Sequence, residues 1–428
     1  MTTLMLSILA VWFVAIFLGP PLWLAMALAG WAFLAFAGIS DLALAQRIAK
    51  TADSFPLLAA PLFILMGNIM NSAGITDRIF AFATACVGFL RGGLCHANIL
   101  ASVIFAGMSG SAVADAGGVG TLEIKAMRDE GYKPETAAAI TAASATIGPI
   151  IPPSLPMVIY GVSADVSIGG LFLAGVIPGF MMAGALMAMV VYVAKKNDLP
   201  RHPFPGFAQL WVAYKEAHWA LMTPVILFGG MMGGIFTPTE AAAVATAFAL
   251  VLGLFVYRSF SLGDLPELVV QTVETTGVVL ALVMTAAALG WCLSISRIPQ
   301  LVGPWLVDLA GSPLIYLLIV NLLLLFVGCF MEALAAMLIL IPILTPAAAQ
   351  FGIDPIQFGL IFVLNLMIGT ITPPVGVVLF VTSKIANISF EAMSRAILPW
   401  LLPLLAVLVA ITLWPPLTTW LPNLVLGR

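Results

Sequence analysis

The pattern I-G-x-x-x-P-P occurs twice, at residues 147–153 and 368–374, 221 residues apart in a chain of 428. Each copy lies inside a long apolar stretch, residues 137–160 and 358–381. A proline pair removes two N–H donors and frees carbonyls one turn back. In hydrocarbon, freed backbone groups persist only where protein buries them or where they line a wet cavity. Broken helices at matching places in two halves of one chain point to a transporter's binding site. The pattern therefore predicts a secondary transporter.

Composition agrees. The chain is 62% hydrophobic and 8% charged, against roughly 25% charged in soluble domains. Ten-residue alternating strands are absent, which argues against a β-barrel. The expectation is an all-α polytopic protein of a bacterial inner membrane, with the lipid bilayer as its solvent and no nucleic-acid partner. The four cysteines show neither metal spacing nor a disulfide framework. The apolar N-terminus lacks the basic flank and small-residue site of a cleaved signal.

Taken in order, the apolar runs predict an N-terminal repeat (1–194), a central cytoplasmic linker (195–218) and a C-terminal repeat (219–428). The first repeat holds spans within 4–39 and at 55–73, arms at 40–54 and 74–93, a hairpin at 94–132, a broken helix at 134–161 and a span at 170–194. The second holds spans within 219–257, arms at 258–274 and 296–311 flanking a span at 275–295, and a hairpin at 314–350. It ends with a broken helix at 358–382 and a closing span at 392–414. The hairpins are expected to be re-entrant, the second interrupted both at 328–332 and at 342–346. Residues 74–93 and 296–311 lie flat as interfacial arms, so each repeat has five spans and the two are inverted. Twelve of the 16 lysines and arginines then fall inside, with Arg47, Lys50, Arg297 and Arg428 outside, as the positive-inside rule requires. The N-terminus is periplasmic on this reading. Charge alone would also accept 74–93 as a span with the N-terminus inside; the short apolar core of 296–311 decides for symmetry.

Ser109, Gly110 and Ser111 place two hydroxyls at the first hairpin bend, opposite Thr146, Gly148 and Pro149 at the first break. Hydroxyls and unwound carbonyls of this kind build sodium sites in transporters, although small residues also serve close helix packing. The second repeat offers a corresponding site at Gly328, Met331, Glu332, Gly369, Thr370 and Thr372. Intramembrane acids cost about 2.5–3.5 kcal/mol on insertion scales, which singles out Asp115, Glu240 and Glu332. Helix-end roles are favoured for Asp115 and Glu240, and His96 is expected at the interface. The breaks and the first bend supply the substrate side: Pro153, Ser154, Pro373, Pro374 and Asp115. No lysine or arginine falls in the breaks or bends, so an anionic substrate would rest on half-helix N-termini, hydroxyls and co-bound Na⁺. No phosphate-binding loop of the G-x-x-x-x-G-K-[ST] kind occurs, so ATP does not drive the chain directly. Na⁺ is expected as the coupling ion, with no other cofactor and no enzymatic activity.

These residues also carry a resemblance. Pro61-Leu62-Phe63 with Gly67, Arg91-Gly92-Gly93-Leu94, and M-S-G-S-A-V-A-D at 108–115 belong to it. It continues through Gly131-Tyr132, 147–154, Tyr160-Gly161, Leu171-Phe172, Gly175 and Pro178-Gly179. In the second half it includes F-T-P-T-E-A at 236–241, G-I-D-P at 352–355 and T-P-P-V-G at 372–376. In combination the chain resembles the large membrane subunit of tripartite ATP-independent periplasmic (TRAP) transporters.

The resemblance implies an elevator-type ion-transporter fold, in which hairpins and broken helices move against a static scaffold joined by the arms. It implies Na⁺-driven import of carboxylates such as C4-dicarboxylates or sialic acid, a soluble periplasmic binding protein that delivers the small organic acid, and a small four-helix membrane subunit. That subunit is expected as a separate chain, since no extra spans precede Met1. A stand-alone symporter of the same superfamily would work without the binding protein, and a channel would show continuous conductance. An intramembrane enzyme would need a catalytic pair, which is not evident.

Overall fold

The computed structural model describes residues 1–16 and 19–427, without the side chains of 15, 16 and 107–109. Regular structure among the described residues is entirely helical. The first half runs α1 (Thr2–Ile16), α2 (Leu22–Ala37), α3 (Asp41–Ala52), α4 (Ala59–Ser72), α5 (Ile75–Val87) and α6 (Gly93–Ser109). It continues with α7 (Ala112–Gly117), α8 (Val119–Asp129), α9 (Pro134–Ala145), α10 (Leu155–Ala164) and α11 (Ile168–Lys196). The second half runs α12 (Phe207–Met232), α13 (Pro238–Val251), α14 (Leu265–Ile295), α15 (Ile298–Ala310) and α16 (Pro313–Phe330). It closes with α17 (Ala333–Gln350), α18 (Pro355–Gly369), α19 (Val377–Ala386), α20 (Phe390–Leu413) and α21 (Pro416–Leu426). Seven helical stretches among the described residues are long and apolar enough to cross a membrane.

The broken helices form the centre. In α18 every residue from Ile356 to Gly369 is buried, and in α9 every residue from Ala137 to Ala145. A helix that is apolar all round needs protein on every side. For α18 that protein is α16, α17, α20 and α11; for α9 it is α20, α19, α8 and α6. The periphery is different: Leu318, Leu322 and Phe326 on α16 stand exposed, as lipid-facing side chains do. Around the centre, α14 packs on α2, α3 and α4, and α13 packs on α4. The arms α5 and α15 pack chiefly on α6 and α17 respectively and also touch the other arm of the same hairpin, α8 and α16.

Buried polar contacts tie the centre together. Asn365 Nδ2 donates to Asn321 Oδ1 at 2.5 Å, and Asn321 Nδ2 to Thr412 Oγ1 at 3.1 Å, joining α18, α16 and α20. On the other side Asn98 donates to Glu123 at 2.8 Å and to Thr141 at 2.7 Å, and accepts from Ser144 at 2.5 Å.

Several expected boundaries differ. The boundary expected between arm 258–274 and span 275–295 is not a break, since α14 is one 31-residue helix that runs on through Gly277 with no proline after Pro266. The second hairpin is interrupted only at Met331–Glu332. Helix α17 passes through Pro342 and Pro346, because helix neighbours and tight packing absorb the freed carbonyls. The returning arm of the first hairpin is instead split at Gly118 into α7 and α8. Helix α12 begins at Phe207, inside the expected linker 195–218, and α21 follows the expected last span, opened by Pro415 and Pro416.

Candidate substrate and ion site

The first hairpin bends where Gly110 takes φ +60°, a conformation open to glycine. Ser111 is extended and caps α7, accepting from the Ala114 N–H at 3.4 Å, and Asp115 lies buried in that first turn. The bend seats on the first break. A Cβ at Gly110 would stand 3.0 Å from Leu155 N and 3.1 Å from the Pro153 carbonyl oxygen. Within the break, the Thr146 hydroxyl donates to the Ala143 carbonyl at 2.6 Å. Gly148 faces the Asp115 carboxylate so closely that a Cβ there would collide with Oδ2. Ser154 caps α10, accepting from the Met157 N–H at 3.2 Å while its hydroxyl donates to the Pro149 carbonyl.

The second bend is built by other residues to the same end. Met331 is extended, and Glu332 caps α17 by accepting from the Ala335 N–H at 3.0 Å. At the second break, Thr370 and Thr372 donate to the Met367 and Ile368 carbonyls, each at 2.7 Å. The Gly376 N–H reaches across to the Cys329 carbonyl at 2.9 Å, and Gly328 crosses Gly369 backbone to backbone. The Pro152–Pro153 and Pro373–Pro374 bonds are both cis.

Bends and breaks from both halves share one cavity of about 40 Å³, lined by Gly110, Ser111, Pro149, Glu332 and Thr370 with the first turns of α10 and α17. No lysine or arginine lines it. The helices that open onto it are capped by Ser111, Ser154 and Glu332, and its polar lining is the hydroxyl and carboxylate oxygens of Ser111, Thr370 and Glu332. Its cation-seeking groups are oxygens: each threonine hydroxyl that donates to a carbonyl keeps lone pairs for another partner.

The sequence-derived residues thus divide. Gly110, Ser111, Pro149, Glu332 and Thr370 line the shared cavity; Pro153, Ser154, Gly148, Asp115, Gly328 and Gly369 form the contacts that shape it. Thr146, Met331, Thr372, Pro373 and Pro374 lie in the flanking bends and breaks. Ser109 ends α6, and its side chain lies outside the described residues. Glu240 is the third residue of a capping box with Thr237, a helix-end role. His96 is 3% exposed in the first turn of α6. Sequence reasoning missed Glu123, which is 1% exposed. Its signal was present: Val119, Gly120, Glu123, Ile124 and Met127 form the buried face of α8 at three-and-four spacing.

A polytopic helical membrane protein whose hairpin bends and helix breaks close on one cavity is a membrane transporter. Residues 9–417 match the family model of the tripartite ATP-independent periplasmic transporter, DctM component, and the chain belongs to that family as a multi-pass protein of the bacterial inner membrane. It is 46% identical over 417 residues to the sialic acid TRAP transporter large permease protein of Vibrio cholerae, covering 97% of this chain and 98% of that one. It is 40% identical over 390 residues to the C4-dicarboxylate TRAP transporter large permease protein of Pseudomonas aeruginosa, covering 91% of each. Among solved structures, the YdaH transporter of Alcanivorax borkumensis shares the fold, with TM-score 0.64 over 87% of each chain and 16% identity.

Proposed function

We propose that this chain is the translocating subunit of a Na⁺-driven importer of organic acids, C4-dicarboxylates or sialic-acid-like carboxylates. The observation that carries the proposal is the convergence of both hairpin bends and both helix breaks on one cavity, whose polar lining is oxygen from Ser111, Thr370 and Glu332 with no basic side chain. The relatives named for sialic acid and C4-dicarboxylates support the substrate class. Without a fixed counter-cation the anion is held best when Na⁺ is already bound, and that dependence couples the two.

Na⁺ site 1 comprises Ser109, Gly110, Ser111, Thr146, Gly148 and Pro149. Site 2 comprises Gly328, Met331, Glu332, Gly369, Thr370 and Thr372. The substrate rests against Pro153, Ser154, Pro373, Pro374 and Asp115. The two halves act as inverted repeats. Helices α6–α10 and α16–α19 move as an elevator against the remaining helices, with α5 and α15 as linking arms. A periplasmic binding protein delivers the acid, and a small four-helix membrane subunit widens the scaffold. The chain performs no enzymatic step and needs no cofactor beyond Na⁺.

The test is uptake of radiolabelled succinate and sialic acid into liposomes holding this chain and the small subunit. Uptake that needs both binding protein and inward Na⁺ gradient upholds the proposal. Uptake without the binding protein points to a stand-alone symporter, and uptake indifferent to Na⁺ removes the coupling.

A further inference from the structure

A second cavity, about 420 Å³, opens between α3 with the turn that follows it, the C-terminal end of α10, the second half of α14 and the middle of α17. Arg47, Lys50, Thr51 and Ser54 form one wall, Ser163 and Ser294 add hydroxyls, and no aspartate or glutamate lines it. Arg47 is placed over the Trp291 ring, 5.2 Å from its centroid, so its charge is held at the rim by a cation–π contact.

Size separates the two cavities. Small-molecule pockets run to roughly 300–1,000 Å³; the outer cavity is within that range, and the central one, at about 40 Å³, is not. They are also connected in the fold, because α10 and α17 line both. Leu338 in the outer cavity is one turn beyond Leu334 in the central one, about 6 Å along the axis. On α10, Val162 is about 9 Å beyond Pro156.

We propose that the outer cavity is an anion vestibule, in which Arg47 and Lys50 capture the carboxylate of the transported acid on the periplasmic side before it passes between α10 and α17 to the central cavity. The identity of the anion rests on the import reading above. The vestibule supplies what the central cavity lacks, a fixed positive charge. It does so on α3, an arm packed against α14 rather than against the central helices. The acid is attracted there and released inward without carrying a basic side chain along.

The test uses Ser163→Cys in the complex with the small subunit, held in nanodiscs, with the parent protein and its Cys86, Cys95, Cys292 and Cys329 as background. Modification by an anionic methanethiosulfonate reagent is compared with modification by a cationic one. The anionic reagent should be favoured about tenfold over its ratio with a free thiol, and Arg47→Gln with Lys50→Gln should abolish the preference. A ratio equal to that of a free thiol, or one unmoved by the two substitutions, overturns the proposal. Neutral and anionic lipid discs should behave alike; loss of the preference in anionic discs would mean that lipid phosphates occupy the site, and would also overturn it. In liposomes, the same substitutions should raise KM and, at saturating acid, leave half-saturating Na⁺ unchanged. Wild-type uptake indifferent to Na⁺ would defeat the import reading while leaving the labelling result standing.

Discussion

Gly369→Ala is the sharpest test of how the second bend is held. A Cβ at residue 369 would fall 2.6 Å from the Gly328 Cα and 2.8 Å from its carbonyl carbon. Carbon atoms pack at about 3.5–4.0 Å, so α16 and α18 must separate by about 1 Å. Both offending atoms are backbone and cannot rotate away. Overpacking of this kind costs about 1–3 kcal/mol. The reverse change, Gly328→Ala, meets its nearest atom at 3.1 Å and should cost less. Gly277 on α14 has no atom within 4 Å of its Cβ position, so Gly277→Ala should gain about 1 kcal/mol of helix propensity. Separation at 328–369 also strains the neighbouring Gly376 N–H to Cys329 carbonyl bond, which loosens the bend beside Glu332 and Thr370. Apparent melting midpoints should rank Gly277→Ala highest, Gly328→Ala lower and Gly369→Ala lowest. Half-saturating Na⁺ for uptake should rise in the last. A Gly369→Ala protein as stable and as Na⁺-responsive as Gly277→Ala would refute the reasoning.

Further outcomes follow from the same contacts. Ser111→Ala and Thr372→Ala should each raise the Na⁺ needed for half-maximal uptake, and unchanged Na⁺ dependence in both would remove the site assignment. Gly148→Ala drives a methyl group into the Asp115 carboxylate; uptake should fall sharply while Gly184→Ala, which meets nothing within 4 Å, retains it. Asn321→Ala removes hydrogen bonds to Asn365 and Thr412 and should cost on the order of 1 kcal/mol, two interhelical bonds averaging about 0.6 kcal/mol each, read as a lowered melting midpoint.

Helix breaks were legible because proline pairs and glycines act locally. Residues 146–154 and 370–376 separate α9 from α10 and α18 from α19, as the I-G-x-x-x-P-P pattern predicts. The bends were legible from S-G-S and from Gly328 to Glu332 for the same reason. Prolines were misleading where tertiary packing decides, as at Pro342 and Pro346 inside α17. The uninterrupted α14 was hidden by charges at Glu267 and Glu274, which mark where a helix leaves the apolar core rather than where it ends. What the sequence could not show was the convergence of the two halves. Ser111 and Glu332 are 221 residues apart, and only the packing of α10 against α17 and of α17 against α18 brings both bends to one cavity. The cationic outer cavity was equally hidden, because Arg47 and Lys50 read simply as polar residues of an amphipathic arm.

If carboxylate and Na⁺ binding are coupled at the converging bends and breaks, reciprocal binding to the purified complex shows it. Carboxylate affinity is measured by calorimetry across Na⁺ concentrations, and Na⁺ affinity across carboxylate concentrations. The account predicts that each ligand tightens the other by the same factor, as linkage demands, and that Ser111→Ala with Thr370→Ala weakens the coupling. Affinities independent of the other ligand would contradict it.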